Sequence, residues 1–163
     1  MKKIILCRGI QGSGKTTHAK QWVLKDPEHR VRFNNDDIRN MLGKYWVTSR
    51  EPLVSNLKRA FLNHSMLKGY DIIIDNMNLN NREVEFYQSV VKVHNDLVEQ
   101  YRKYNPEEGN SEFKYEIEFK DFFIPLEECI KRDALRENPI GEEIIRNTYN
   151  KYKHILENNH ETN

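Results

Sequence analysis

Nowhere in its 163 residues does the chain carry a long apolar run. A membrane-spanning helix needs roughly 20 consecutive, mostly apolar positions, so none is expected. With 31% charged and 37% hydrophobic residues, the composition is that of a globular, soluble chain rather than a disordered one. Cysteine is nearly absent: Cys7 and Cys129 are the only two. That count offers no disulfide framework, and two buried thiols in a reducing cytoplasm are expected. Net charge is equally scant, at +1. A broad basic face that grips long duplexes is therefore excluded, and any nucleic-acid contact should be local. The opening MKKIILC has a short apolar run but no small-residue cleavage site, so it is read as a first strand and not a signal peptide. No repeat, linker or second-domain boundary interrupts the chain, and one domain over residues 1–163 is expected.

What the sequence does contain is concentrated early. The stretch GIQGSGKTT, residues 9–17, follows that strand and precedes a helix-like segment. Gly9, Gly14, Lys15 and Thr16 match G-x-x-x-x-G-K-[ST], the phosphate-binding P-loop, in the strand-to-helix context the pattern requires. Gly9, Gly12, Ser13 and Gly14 would turn backbone N–H groups onto a nucleotide's phosphates at the start of a helix carrying Thr17. Lys15 would meet the β- and γ-phosphates and the Thr16 hydroxyl would bind Mg²⁺, which makes ATP and Mg²⁺ the expected donor and cofactor.

Further along, strand-like runs at Lys2–Cys7, Val31–Phe33, Asp71–Ile74 and Tyr115–Phe123 alternate with helical patterns. Helices are expected to about Leu24, over Asp36–Met41, around Val54, Leu57, Phe61 and Leu62, over Asn81–Lys103, over Pro125–Arg136, and over 142–158. The polar stretch NPEEGNSE between the fourth and fifth of the longer patterns is expected to be a loop, and the tail NNHETN to fray. This alternation predicts an α/β fold with a mostly parallel sheet covered on both faces, with residues 124–141 as a helical lid.

Three constellations bear on what receives the phosphate. In FNNDDIRN, at the exit of the second strand, Asp36 could accept a hydroxyl proton and Arg39 could hold an anionic group; Asp36 as a helix cap and Arg39 as a solvated side chain stay open. In GYDIIIDNMN, Asp75 emerges from a buried strand where a Walker-B-type acid sits, with capping of the next loop as the alternative. In IPLEECIKRDALREN, Arg132 and Arg136 share a helical face and could close over the transferring group; an ion pair of Arg132 with Glu128 competes with that role. Lys44, Tyr45, Trp46, Arg50, Lys58 and Arg59 form a basic stretch with interleaved aromatics, suited either to guiding a single strand or to packing.

Taken together, MKKIIL, the P-loop, NxDDxR, the strand ending in an acid before Asn78-Leu79-Asn80, the P-x-x-E-x-x-K-R-x-x-x-R segment and a last helix with R-x-x-Y resemble the 5′-kinase domain of the bacteriophage polynucleotide kinase-phosphatase family over nearly the whole chain. The resemblance implies Asp36 as general base, Arg39 on the acceptor's 3′-phosphate, Arg136 on the donor phosphates with Arg132 beside it, and Asp75 and Asn78 at the substrate. Alignment on Asn78 would put Asn76 at the family's acidic position, whereas related small P-loop kinases carry the acid at Asp75. No Asp-x-Asp-Gly-Thr signature is present, so the 3′-phosphatase half is expected to be absent. The function implied is ATP-dependent phosphorylation of 5′-OH ends of single-stranded or nicked RNA or DNA in the cytoplasm, as in nucleic-acid repair. The rivals are a small-molecule or nucleotide kinase and a non-catalytic nucleotide switch. Oligomeric state is not legible in the sequence.

Overall fold

A computed structural model describes residues 1–107 and 113–157. Most of the NPEEGNSE loop, the tail NNHETN and the expected last position of the final helix, residue 158, lie outside the described residues. Among the described residues four strands, β1 (Lys2–Arg8), β2 (Arg30–Phe33), β3 (Asp71–Ile74) and β4 (Tyr115–Asp121), form one sheet in the order β2-β3-β1-β4. Every pairing is parallel, with Ile4 opposite Ile72, Leu6 opposite Ile74 and Phe33 opposite Ile74. Parallel neighbours need crossovers, and helices supply them: α1 (Lys15–Leu24), α2 (Asn35–Met41), α3 (Glu51–Leu67), α4 (Asn81–Tyr104), α5 (Leu126–Ala134) and α6 (Glu142–Glu157).

Side chains alternate across a strand, and both faces of β1 are buried, which is why it reads as an unbroken apolar run. Ile4 and Leu6 join Ile72, Ile74 and Phe33 on one face, under Leu62 and Met66 of α3 and Tyr87, Val90 and Val91 of α4. Ile5, Cys7 and Ile73 pack on the other face against Ala19, Trp22 and Val23 of α1. A third cluster lies at the loop end of the sheet, where Ile10, Leu79, Cys129, Ile145 and Leu156 tie α5 and α6 to the P-loop. Both thiols are free and buried, and burial pushes the Cys7 thiol up to about 12. No helix among the described residues is long and apolar enough to cross a membrane.

Two element ends fall short of expectation. β4 stops at Asp121 rather than Phe123: the Phe122 N–H makes the last bond to β1, to the Arg8 carbonyl at 2.8 Å, and the Phe122 and Phe123 side chains pack in different clusters. The fifth helix ends at Ala134 rather than Arg136: the buried Asp133 carboxylate accepts from the N–H groups of Ile140 and Gly141, at 2.9 and 3.0 Å, and folds the chain back.

Candidate active site

The strand order brings the loops after β1, β2 and β3 to the same end of the sheet, where ligands of parallel sheets gather. After β1, Gly14 holds φ +96° as the N-cap of α1, which has no side-chain cap and so leaves its first N–H groups open to an anion. Gly12 is required for a different reason, since a Cβ there would lie 2.2 Å from the Cys129 carbonyl oxygen of α5. Buried Lys15 donates from Nζ to the Ile10 carbonyl at 2.7 Å and to Ser13 Oγ at 3.3 Å. Burial lowers its pKa to about 8, with the neighbouring Cys7 and Asp75 opposing that shift.

The loop after β2 carries the expected acid and arginine, and the structure separates Asp36 from Asp37. Asn34, not Asp36, caps α2: its side chain accepts from the Asp36 N–H at 2.8 Å and donates to the Asp75 carbonyl at 3.3 Å. The capping alternative for Asp36 is thereby removed. Asp36 Oδ1 accepts from Arg39 Nη1 at 2.7 Å and from the Tyr45 hydroxyl at 3.0 Å, while Oδ2 has no partner among the described residues. Asp37 turns away to pair with Arg32.

Arg39 departs from the picture of a free anion reader. Its Nε and Nη2 form a two-pronged pair with the Glu51 carboxylate at 2.9 and 2.8 Å, and its guanidinium lies 5.0 Å from the centroid of the Trp46 ring. The Glu51 bonds lift the arginine's pKa further, and the same bonds hold the Glu51 carboxyl below its usual range. The edge of Arg39 best shaped for a phosphate is already filled by a side chain from another helix.

Asp75 leaves β3 fully buried, its Oδ2 accepting from Arg32 Nη2 at 2.8 Å. Asn76 instead accepts from the Asn35 N–H at 2.9 Å and donates to the Tyr87 hydroxyl at 3.3 Å, tying α2 to α4. The carboxylate at the strand exit is thus Asp75. Asn78 lies elsewhere: buried at φ +50°, it donates from Nδ2 to the carbonyls of Cys7 at 2.8 Å and Ile74 at 2.9 Å, clamping β1 to β3. It is not among the residues lining the cleft, and its amide serves the sheet.

Lys15, Thr16, Asp36, Arg39, Tyr45, Asp75, Glu83 and Arg136 line one cleft of about 320 Å³. Of the two lid arginines, Arg136 lines it, 3.4 Å from Asp133, whereas Arg132 is half-exposed and ion-paired to Glu128 at 2.7 Å. Arg132 still lies close over the P-loop, its Nη1 3.7 Å from where a Gly14 Cβ would project. The basic stretch divides: Lys58 is buried with its ammonium 4.4 Å from the Phe86 centroid, and Arg59 stacks on the same ring, so both serve packing. Tyr45 and Trp46 remain exposed beside the cleft.

The site suits a nucleotide and a hydrated cation. Three acceptor oxygens of cleft residues, Gln11 Oε1, Asn35 Oδ1 and Asp75 Oδ1, are buried without hydrogen-bond partners, a condition that a metal's water shell would relieve. Among the described residues no three His, Cys, Asp or Glu side chains converge as a metal cage. Mg²⁺ is ordinarily held by one or two protein groups, phosphates and water, and Thr16 and Asp75 both line the cleft.

Sequence reasoning missed Arg32 and Tyr45 as partners of the acids and Glu51 as the partner of Arg39. An arginine alternating with apolar residues in RVRF was the available sign that a buried counter-charge existed. Glu51 is twelve residues from Arg39 and had none.

A family model described as an AAA domain matches residues 4–157, and the chain belongs to that family. Among solved structures, a chain of the Pnkp1/Rnl/Hen1 RNA repair complex superposes with a TM-score of 0.68 at 23% identity, over 96% of this chain and 46% of its own length. A chain from another structure of the Pnkp1/Rnl/Hen1 complex does so with a TM-score of 0.56 at 25% identity, over 86% and 45% respectively. The present chain thus spans less than half the length of either.

Proposed function

We propose that this AAA-domain chain is an ATP-dependent polynucleotide 5′-hydroxyl kinase, acting on the ends of single-stranded or nicked RNA or DNA in a reducing cytoplasm. The carrying observation is that one cleft joins a P-loop lysine to a carboxylate, Asp36, that is neither a helix cap nor buried and keeps one oxygen free. Likeness to a chain of an RNA repair complex supports the choice of acceptor.

In the mechanism, Asp36 Oδ2 takes the proton of the attacking 5′-hydroxyl as its oxygen bonds to the γ-phosphorus and the bond to the β-phosphate oxygen breaks, releasing ADP. Lys15 exchanges the Ile10 carbonyl for the β- and γ-phosphates, and Arg136 neutralises charge on the transferring group. Mg²⁺, held by Thr16 and through water by Asp75, would supply charge neutralisation at the phosphates. Arg32 and Asn34 keep Asp75 and α2 in register.

The test is an acceptor panel with γ-labelled ATP and Mg²⁺: 5′-OH oligonucleotides, nucleosides, and nucleoside 3′- and 5′-monophosphates. Oligonucleotides and 3′-monophosphates should be labelled on the 5′-oxygen. Preference for a 5′-monophosphate or a non-nucleotide alcohol would overturn the reading. One observation favours that second reading of a small-molecule or nucleotide kinase, namely that Glu51 already fills the fork of Arg39.

Glu51→Gln therefore discriminates. If Arg39 meets an acceptor phosphate, removing the competing carboxylate should lower KM for 3′-phosphorylated acceptors by up to about fivefold, the scale of a partly exposed ion pair. An unchanged KM would leave Arg39 as a holder of Asp36 alone.

Arg136→Ala should reduce kcat by about 10²-fold or more and change acceptor KM little, because an arginine on the transferring group acts most strongly in the transition state. Arg132→Ala, which breaks an exposed pair with Glu128, should cost less than about tenfold. Steady-state kinetics of the two variants checks the order; equal effects would dissolve the distinction.

A further inference from the structure

We infer that Asp133 is the positioning residue for Arg136, aiming that arginine at the group being transferred, an inference that rests on the kinase reading above. Asp133 is 1% exposed, and its two oxygens do different things. Oδ2 accepts from the N–H groups of Ile140 and Gly141, so the carboxylate is pinned to the main chain of the lid turn. Oδ1 is buried and makes no hydrogen bond, and the cation facing it is the Arg136 guanidinium, with Nη1 at 3.4 Å. A buried carboxylate needs a counter-charge, and Arg136 supplies it. At that distance the contact is one of charge, and it leaves the guanidinium without a hydrogen bond among the described residues. Arg39 differs in that its fork is already filled by Glu51. Arg136 is held in the cleft with its donors open, which is the condition for meeting the oxygens of a phosphate.

The carboxylate is also fixed relative to the phosphate site. Asp133 lies one turn after Cys129 on the buried face of α5, and the Cys129 carbonyl oxygen would be 2.2 Å from a Cβ at Gly12 of the P-loop. The helix that carries Asp133 therefore rests directly on the loop that would cradle the phosphates. A long, half-exposed arginine loses rotamer freedom when it is localised, and a fixed charge beside it meets part of that cost before the nucleotide arrives. Arg136 is within electrostatic reach of Lys15, whose pKa is lowered first by burial and further by the Arg136 charge. Asp133 lines no part of the cleft and acts through Arg136 alone.

The experiment is a double-mutant cycle on the intact chain. Asp133→Asn keeps an acceptor oxygen for the Ile140 and Gly141 N–H groups but turns an amide toward Arg136, so it removes the tether and spares the turn. It should lower kcat with a 5′-OH oligonucleotide by about threefold to thirtyfold and leave KM for ATP and acceptor within about twofold. In an Arg136→Ala background the same change should cost less than about twofold, since a positioning residue then has nothing to position. Calorimetry with ADP, Mg²⁺ and aluminium fluoride, a mimic of the transferring phosphoryl group, gives a readout that needs no acceptor. Each single variant should bind the mimic more weakly, the double variant no more weakly than Arg136→Ala, and all should bind ADP alone as the wild type does. Titrated ADP sites normalise both measurements, so unfolded chain does not count. Should Asp133→Asn not fold, Asp133→Ser takes its place, its hydroxyl accepting from the same N–H groups. Additive losses, or no loss at Asp133, would overturn the inference and leave that residue as the group that ends α5, with the kinase reading intact. Coupling in the fluoride complex without labelling of any oligonucleotide would retain the inference and remove the polynucleotide reading. A wild type that binds no ADP would overturn both.

Discussion

Lys15→Ala abolishes labelling of every acceptor, lowering kcat/KM by about 10³-fold or more, since this lysine is the cation placed to follow charge on the β- and γ-phosphates. The structure adds a reason why the loss should come without unfolding. Lys15 makes its two hydrogen bonds inside its own loop, to Ile10 and Ser13, and carries a charge that burial disfavours. The lysine's folded pKa, about 8, lies below its ordinary value of 10.5, so between those limits the unfolded chain binds more protons than the folded one. Wild-type stability should accordingly rise through that window, and at neutral pH the variant should melt no lower than the wild type. Nucleotide binding has the opposite slope. Phosphates favour the ammonium, so affinity for a non-hydrolysable ATP analogue should fall as pH climbs past about 8, and Lys15→Ala should lack that limb. Calorimetric titration across pH with thermal melts of both proteins measures this, and near-wild-type turnover in the variant would defeat the P-loop assignment.

Asp36→Asn should lower kcat by roughly 10²- to 10⁴-fold with nucleotide affinity unchanged, because a lost general base affects proton transfer and not donor binding. The amide can keep the acceptor interactions of Oδ1 with Arg39 and Tyr45, but it cannot take a proton. Stability should hardly change, as the cap of α2 belongs to Asn34 and the carboxylate is half-exposed. Asp37→Asn is the control: its partner is Arg32, which also pairs with Asp75, so the effect on turnover should be smaller and indirect. A variant whose activity merely tracked its folded fraction would show that Asp36 serves the helix and not the reaction. Single-turnover rates beside melting curves separate the two.

Features that depend on a few neighbouring residues were readable directly from the sequence. The P-loop is a local pattern of glycines, Lys15 and Thr16 after an apolar run, and the three-isoleucine stretch of β3 could only be a strand buried on both faces. Even the ends of α1 and α4 follow from residues within one turn of them. By contrast, the placement of each charged group was settled by contacts between residues distant in sequence. Asp36 and Asp37 are adjacent and chemically identical, and they part only because Arg32 of β2 and Arg39 of α2 lie on opposite sides of them. Asp75 meets Arg32 across 43 positions and Arg39 meets Glu51 across twelve. Arg132 and Arg136 share a helical spacing, but the buried Asp133 ends α5 between them and leaves Arg136 alone in the cleft. A guanidinium or carboxylate has no intrinsic address along the chain. It goes to the partner that packing places within hydrogen-bond reach, and that partner exists only once the sheet and its helices have closed.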